Sequence, residues 1–297
     1  MALTKFHGNP ALKKFDYNPS NLLLRIFATY RYISFLNLDV VGGCLIFAWL
    51  GAQIACSPIP HYHYLLFGAA VWCVYTLDRL IDVRAQPHNL TARHAFWARN
   101  IRWGWFAIFS ICLMAFGLLI FYCPKGLIVG GLFLVLFICI YLFFKRYCYL
   151  KTRIFVLKEP FIALGFALGI TVAWWSENLT WTVPMIVFFL YLFLLAFINV
   201  IVIGFFEKDE DAAKNEKSLI HLFSEYAIYI IGFLMAFLSA GVIPFCNLPV
   251  FWMSVLAILP WLTLFPLFFQ KLFASHHLYR YWVDGLLTTP LLFLFFR

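Results

Sequence analysis

Long apolar runs, separated by short polar stretches, dominate this chain from residue 33 onward. Nine runs approach the ~20 residues that a helix needs to cross a bilayer. Their approximate spans are 33–56, 61–78, 103–123, 126–144, 155–175, 183–206, 222–246, 249–270 and 281–297, the last one short. The pattern predicts an all-α polytopic membrane protein with nine transmembrane helices. Residues 1–32 carry Lys5, Lys13, Lys14, Arg25 and Arg31 around an apolar patch at Leu22–Ala28. They are expected to form a cytoplasmic arm ending in an interfacial helix, followed by one transmembrane domain over 33–297. The first ~30 residues are mixed and lack a small-residue cleavage site after an apolar core, so no secretory signal is expected.

Charge placement supports the count. With the N-terminus inside, twenty of the twenty-two Lys and Arg residues fall in inner segments, and only Lys125 and Arg297 fall outside. That bias predicts an N-in, C-out topology with an odd number of crossings. Composition agrees: 64% of residues are hydrophobic and 12% charged, against about a quarter charged in soluble domains. The net charge of +9 follows membrane topology, so no nucleic acid partner is expected. The chain is expected to be integral to a bacterial inner membrane or an organellar membrane, with membrane lipid around it. Eight cysteines show no zinc-site spacing. Cys56, Cys123 and Cys246 fall at outer helix ends, where a disulfide between two of them stays open.

Two acid pairs stand out. Asp78 and Asp82 cap the second run, within YTLDRLID, and Glu207 and Asp211 follow the sixth. Residues four apart share one helical face. Four crossings separate the runs, so both pairs end on the cytoplasmic side. A single Asp near a helix end is ordinarily a capping or snorkelling charge, but two such pairs point to chemistry. Hard carboxylate oxygens suit Mg²⁺, which shares its octahedron with phosphate oxygens and water. Asp78, Asp82, Glu207 and Asp211 are therefore the expected metal ligands and catalytic residues. Nearby bases would take the remaining phosphate charge. Tyr141 and Lys145 share a face at the inner end of the fourth run, and Arg84, Lys158, Lys214 and Lys217 are further candidates. Asp39 and Asp284 are expected to pair with nearby arginines such as Arg31 and Arg280. The inner stretch 83–102 reads either as an interfacial helix, aromatics down and arginines up, or as a basic topology-setting loop.

In layout, nine helices with acid motifs ending the second and sixth and YxxxK ending the fourth resemble the UbiA superfamily of intramembrane prenyltransferases. Against that family's NDxxDxxxD, Asp78 and Asp82 match the last two aspartates, while Val74 and Tyr75 stand where Asn-Asp would lead. Against its DxxxD followed by Gly and Thr, Glu207 and Asp211 take the acid positions, Asn215 the Gly and Ser218 the Thr. Tyr141 and Lys145 match YxxxK unchanged. The resemblance implies a UbiA-like bundle that transfers an isoprenoid group from an allylic diphosphate donor to a hydrophobic or aromatic acceptor. It implies Mg²⁺ at the acid motifs and ionisation of the diphosphate at a cytoplasm-facing site. A membrane terpene cyclase and a non-catalytic isoprenoid-diphosphate binder are the alternatives.

Overall fold

A computed structural model describes residues 22–85, 92–151, 154–176, 181–213 and 217–292. Its helices are α1 (Leu22–Phe35), α2 (Leu38–Ile54), α3 (His61–Ala85), α4 (Ala92–Arg99), α5 (Ile101–Tyr122), α6 (Lys125–Lys151) and α7 (Lys158–Ile170). They continue as α8 (Val172–Ser176), α9 (Val183–Ala213), α10 (Glu225–Val242), α11 (Val250–Phe268), α12 (Gln270–Ala274), α13 (Leu278–Leu286) and α14 (Thr289–Leu292). Among the described residues the only strands are two-residue pieces, β1 (Ile154–Phe155) and β2 (Lys217–Ser218), paired in parallel. The molecule is an all-α membrane protein.

Among the described residues, α3, α5, α6, α9, α10 and α11 are each long and apolar enough to cross a membrane, and the run of α2, bent 75° from α1, counts as a seventh only if that bent pair is one span. The other two expected runs are helical but broken. Residues 155–175 divide into α7 and α8 around Thr171, and 281–292 divide between α13 and α14. Three helices also run past their expected inner ends. α3 continues to Ala85, α6 to Lys151 and α9 to Ala213. These tails (DRLIDVRA in α3, EKDEDAA in α9) contain neither Gly nor Pro, so nothing local stops the helix. Both acid pairs consequently lie on helix, as their spacing requires.

The core gathers around α9. Phe188, Tyr191, Leu192 and Leu195 are fully buried there, against Phe47 and Leu50 of α2, Trp174 of α8 and Leu256 of α11, while Ile198 packs with Leu264 of α11 and Val283 of α13. Close approach depends on small residues, as at membrane helix interfaces generally. A Cβ on Gly43 would stand 2.8 Å from the Leu287 Cβ. By contrast, α5 and α6 expose Trp103, Phe106, Phe109, Met114, Leu132 and Phe143 outward. Such surface would aggregate in water but is ordinary against lipid.

Helix breaks inside a membrane free carbonyls that must find donors. Here neighbouring side chains supply them. Pro260 of α11 cannot bond the Leu256 carbonyl one turn back, and the Tyr191 hydroxyl donates to that oxygen at 2.9 Å. Pro266 likewise frees the Leu262 carbonyl, which the Trp282 indole N–H reaches at 2.8 Å. At the α1–α2 bend, where Asn37 adopts a left-handed conformation, Trp97 donates to the Phe35 carbonyl and Trp72 to that of Leu36, both at 2.9 Å. These bonds fix α4 and α13 against the bundle.

Candidate functional site

Each of the four acids of the two motifs meets a basic side chain. On α3, Asp78 Oδ2 stands 3.6 Å from Arg79 Nη1, and Asp82 Oδ2 stands 3.5 Å from His94 Nε2 of α4. These carboxylates remain open, their side chains 50% and 43% exposed. On α9 the pairs are tighter and more enclosed. Asp211 accepts from Lys158 Nζ at 3.1 Å, its side chain 11% exposed. Glu207, 14% exposed, accepts a short charged bond from Arg280 Nε and a second at 2.9 Å from the Tyr279 hydroxyl. Tyr279 is aligned for this by stacking on Phe206, the neighbour of Glu207, with ring centroids 4.5 Å apart.

A line of alternating charge joins the two motifs. His94 meets Asp82, and the adjacent Arg93 donates to Asp284 at 3.2 Å and to Ser34 Oγ at 2.7 Å. Asp284 lies one turn from Arg280 on α13, and Arg280 closes on Glu207. The acid pairs therefore occupy the same end of the bundle, linked through α4 and α13. Arg79 sits within electrostatic range of both Arg93 and Arg280. It is 9% exposed, and its buried Nε makes no hydrogen bond among the described residues. Tyr75, at the second position of the first motif, is likewise in electrostatic range of Asp78, Arg79 and Asp284.

Arg280 belongs to the segment 271–280, ahead of the last expected membrane run. Burial works against its charge, yet Glu207 and the bond to it more than offset this, holding the guanidinium well above its ordinary pKa. Burial, reinforced by Glu207, also pushes the Tyr279 phenol up, so it remains a neutral donor.

Several expectations need correction. Asp284 takes Arg93 as its partner, and Arg280 goes to Glu207. Asp39 accepts from Tyr30 Oη at 3.4 Å and from the Val40 N–H, while Arg31 lies over the Phe35 ring. Within 83–102, α4 buries Trp97 but also Arg93, so that arginine points into the bundle rather than up to solvent. Cys56 and Cys246 are free thiols.

The other expected phosphate-binding residues divide. Lys158 lies in the site, with the Tyr141 phenol in electrostatic range and the Tyr141 ring against Phe161, centroids 6.2 Å apart. Arg84 is exposed, its guanidinium 5.1 Å from the centre of the Trp105 ring on α5. Lys217 is exposed in β2, which pairs with β1 and so straps the end of α6 to the segment after α9. Buried Glu159 secures the same strap by accepting from the Leu219 N–H at 3.3 Å. Lys214 and the side chain of Lys145 lie outside the described residues. Arg79, Arg93, His94, Tyr279 and Arg280 had not been singled out for the site. One signal was present, since Arg280 and Asp284 show the same i, i+4 spacing as the acid pairs.

Among the described residues, no three or more His, Cys, Asp or Glu side chains gather as a metal cluster. Asp78 and Asp82 nevertheless fit Mg²⁺: they are one turn apart, half-exposed, and their ion-pair contacts to Arg79 and His94 are long, at 3.6 and 3.5 Å. Mg²⁺ commonly binds through one or two carboxylates and keeps several waters. Between α7 and α9 runs an apolar groove of about 430 Å³ whose lining includes Leu157, the chain neighbour of Lys158, with Pro160, Phe161, Leu164, Phe189 and Phe193.

No family model matches this sequence, and no curated protein aligns with it. Among solved structures, its fold is similar to the apo structure of a UbiA homolog from Aeropyrum pernix K1. The TM-score is 0.56 at 13% identity, over 86% of this chain and 95% of that one. At that identity the likeness establishes the fold, which is of UbiA type.

Proposed function

We propose that this chain is an intramembrane prenyltransferase that transfers an isoprenoid group from an allylic diphosphate to a lipid-soluble or aromatic acceptor. The observation that carries this reading is the UbiA-type fold holding two i, i+4 acid pairs at one end of the bundle, joined by a line of arginines. The transmembrane domain is 33–297 with nine crossings, N-terminus inside, and the site faces the cytoplasm. The preceding arm ends in α1, which lies along the membrane surface as its 75° angle to α2 suggests.

Asp78 and Asp82 would hold Mg²⁺, which when bound supplies positive charge opposite the diphosphate. Arg79 and Lys158 bind the remaining phosphate oxygens. The allylic C–O bond breaks, its electron pair leaving with the diphosphate as these cations take up the growing charge. The acceptor's nucleophilic atom then bonds to the allylic carbon and loses a proton. The hydrocarbon tail seats in the apolar groove between α7 and α9, whose lining offers no polar competitor.

Protein in lipid nanodiscs, given Mg²⁺, allylic diphosphates and hydrophobic acceptors, is expected to release diphosphate and form a prenylated product. Asp78→Asn should lower both by about a hundredfold or more. Diphosphate released with a hydrocarbon product and no acceptor would assign a terpene cyclase. Saturable binding without turnover would assign a non-catalytic binder.

A further inference from the structure

We propose that Glu207 is a positioning residue rather than a metal ligand: it fixes the Arg280 guanidinium at the α9–α13 junction, and Arg280 together with Arg79 grips a phosphate-bearing anion on that side of the site. The inference deepens the proposed function, since it names what holds the diphosphate opposite Asp78 and Asp82.

Glu207 has its charge consumed locally. One oxygen accepts from both Arg280 Nε and Tyr279 Oη, in a side chain only 14% exposed. A carboxylate so paired would have to give up a buried guanidinium before binding a cation, whereas the Asp78 and Asp82 side chains are 50% and 43% exposed. The pair leaves much of the Arg280 fork uncommitted. Its Nε is spent on Glu207, and no bond from Nη1 or Nη2 is among those it makes there. A guanidinium offers five donors in a planar fork suited to phosphate oxygens.

The second arginine supplies independent support. Arg79 is 9% exposed, its Nε is buried without a hydrogen bond among the described residues, and its ion pair there is the 3.6 Å contact to Asp78. A buried guanidinium with an unused donor is expensive unless an anion completes it. The third arginine of the line, Arg93, is already committed to Asp284 and Ser34. Arg79 and Arg280 are thus the pair left to receive a ligand. The ligand class is a phosphate or diphosphate monoester.

The test separates anion from metal. Calorimetry on nanodisc-embedded protein with inorganic diphosphate, in EDTA and in Mg²⁺, reads the anion, while Mn²⁺ titration by electron paramagnetic resonance reads the metal. Wild type is expected to bind diphosphate in both buffers. Arg280→Gln, and the charge-balanced Glu207→Gln/Arg280→Gln double variant that spares the fold an unpaired buried acid, should each weaken diphosphate about tenfold or more in both, as loss of a charge-assisted bond predicts. Arg280→Lys should recover part of the affinity. Glu207→Gln should leave the Mn²⁺ affinity within about twofold while weakening diphosphate. A tenfold loss of Mn²⁺ affinity in Glu207→Gln, or wild-type diphosphate binding in both arginine variants, would overturn the proposal. Wild-type protein that binds no diphosphate in either buffer would overturn the proposed function itself.

Discussion

Tyr279 Oη and Arg280 Nε, neighbours in sequence on α13, converge on the same Oε1 oxygen of Glu207. A helix-end acid is thereby turned into part of a rigid junction between α9 and α13. Removing the arginine alone leaves a mostly buried carboxylate without its counter-ion, which costs about 3–5 kcal/mol. Arg280→Ala should therefore unfold earlier in thermal or denaturant melts in detergent, and the double variant Glu207→Gln/Arg280→Gln should recover a large part of that loss.

The proline-freed carbonyls of α11 offer a second check. Tyr191→Phe and Trp282→Phe each strand a buried carbonyl that has no backbone partner, at about 1–3 kcal/mol apiece. Restoring the backbone donor with Pro260→Ala should shrink the cost of Tyr191→Phe, and Pro266→Ala that of Trp282→Phe. A double-mutant cycle measured by chemical unfolding reads the coupling.

Arg93 ties α4 to both α1 and α13 through Ser34 and Asp284. Arg93→Met should loosen α4, seen as faster hydrogen exchange over Ala92–Arg99 and as lower stability, because Asp284 then loses its cation. Activity should fall with it, since α4 also brings His94 to Asp82.

Asp78→Asn and Asp82→Asn are expected to lower turnover on an allylic diphosphate by about a hundredfold or more, in line with removal of a charge that acts in the transition state. Rising Mg²⁺ should restore part of the rate if only affinity is impaired. Arg84→Gln should change turnover little, since that side chain lies over Trp105 on α5.

Native thiols can report topology. Cys56 is exposed just past the C-terminal end of α2, and Cys148 lies near the C-terminal end of α6; the proposed topology puts the first outside and the second inside. A membrane-impermeant maleimide should label Cys56 from the outside of sealed vesicles and reach Cys148 only after permeabilisation. Cys246 is buried and should stay unlabelled in both.

What the sequence alone determined is one-dimensional. Apolar run length gave the helices, charge between runs predicted sidedness, and four-residue spacing put each acid pair on one helical face; these follow from helix geometry and from lipid as solvent, which act locally. Tertiary structure decided where runs break and which charge meets which. Hydropathy sums pass over Thr171 and the α13–α14 turn, so two expected spans came out in pieces. By spacing, Arg280 seemed made for Asp284, one turn away on the same helix. Instead the Tyr279–Phe206 stack and the Trp282 bond to α11 set α13 so that Arg280 reaches Glu207, and α4 brings Arg93 to Asp284. An ion pair between helices is settled by the packing that orients them, and no local spacing encodes that packing.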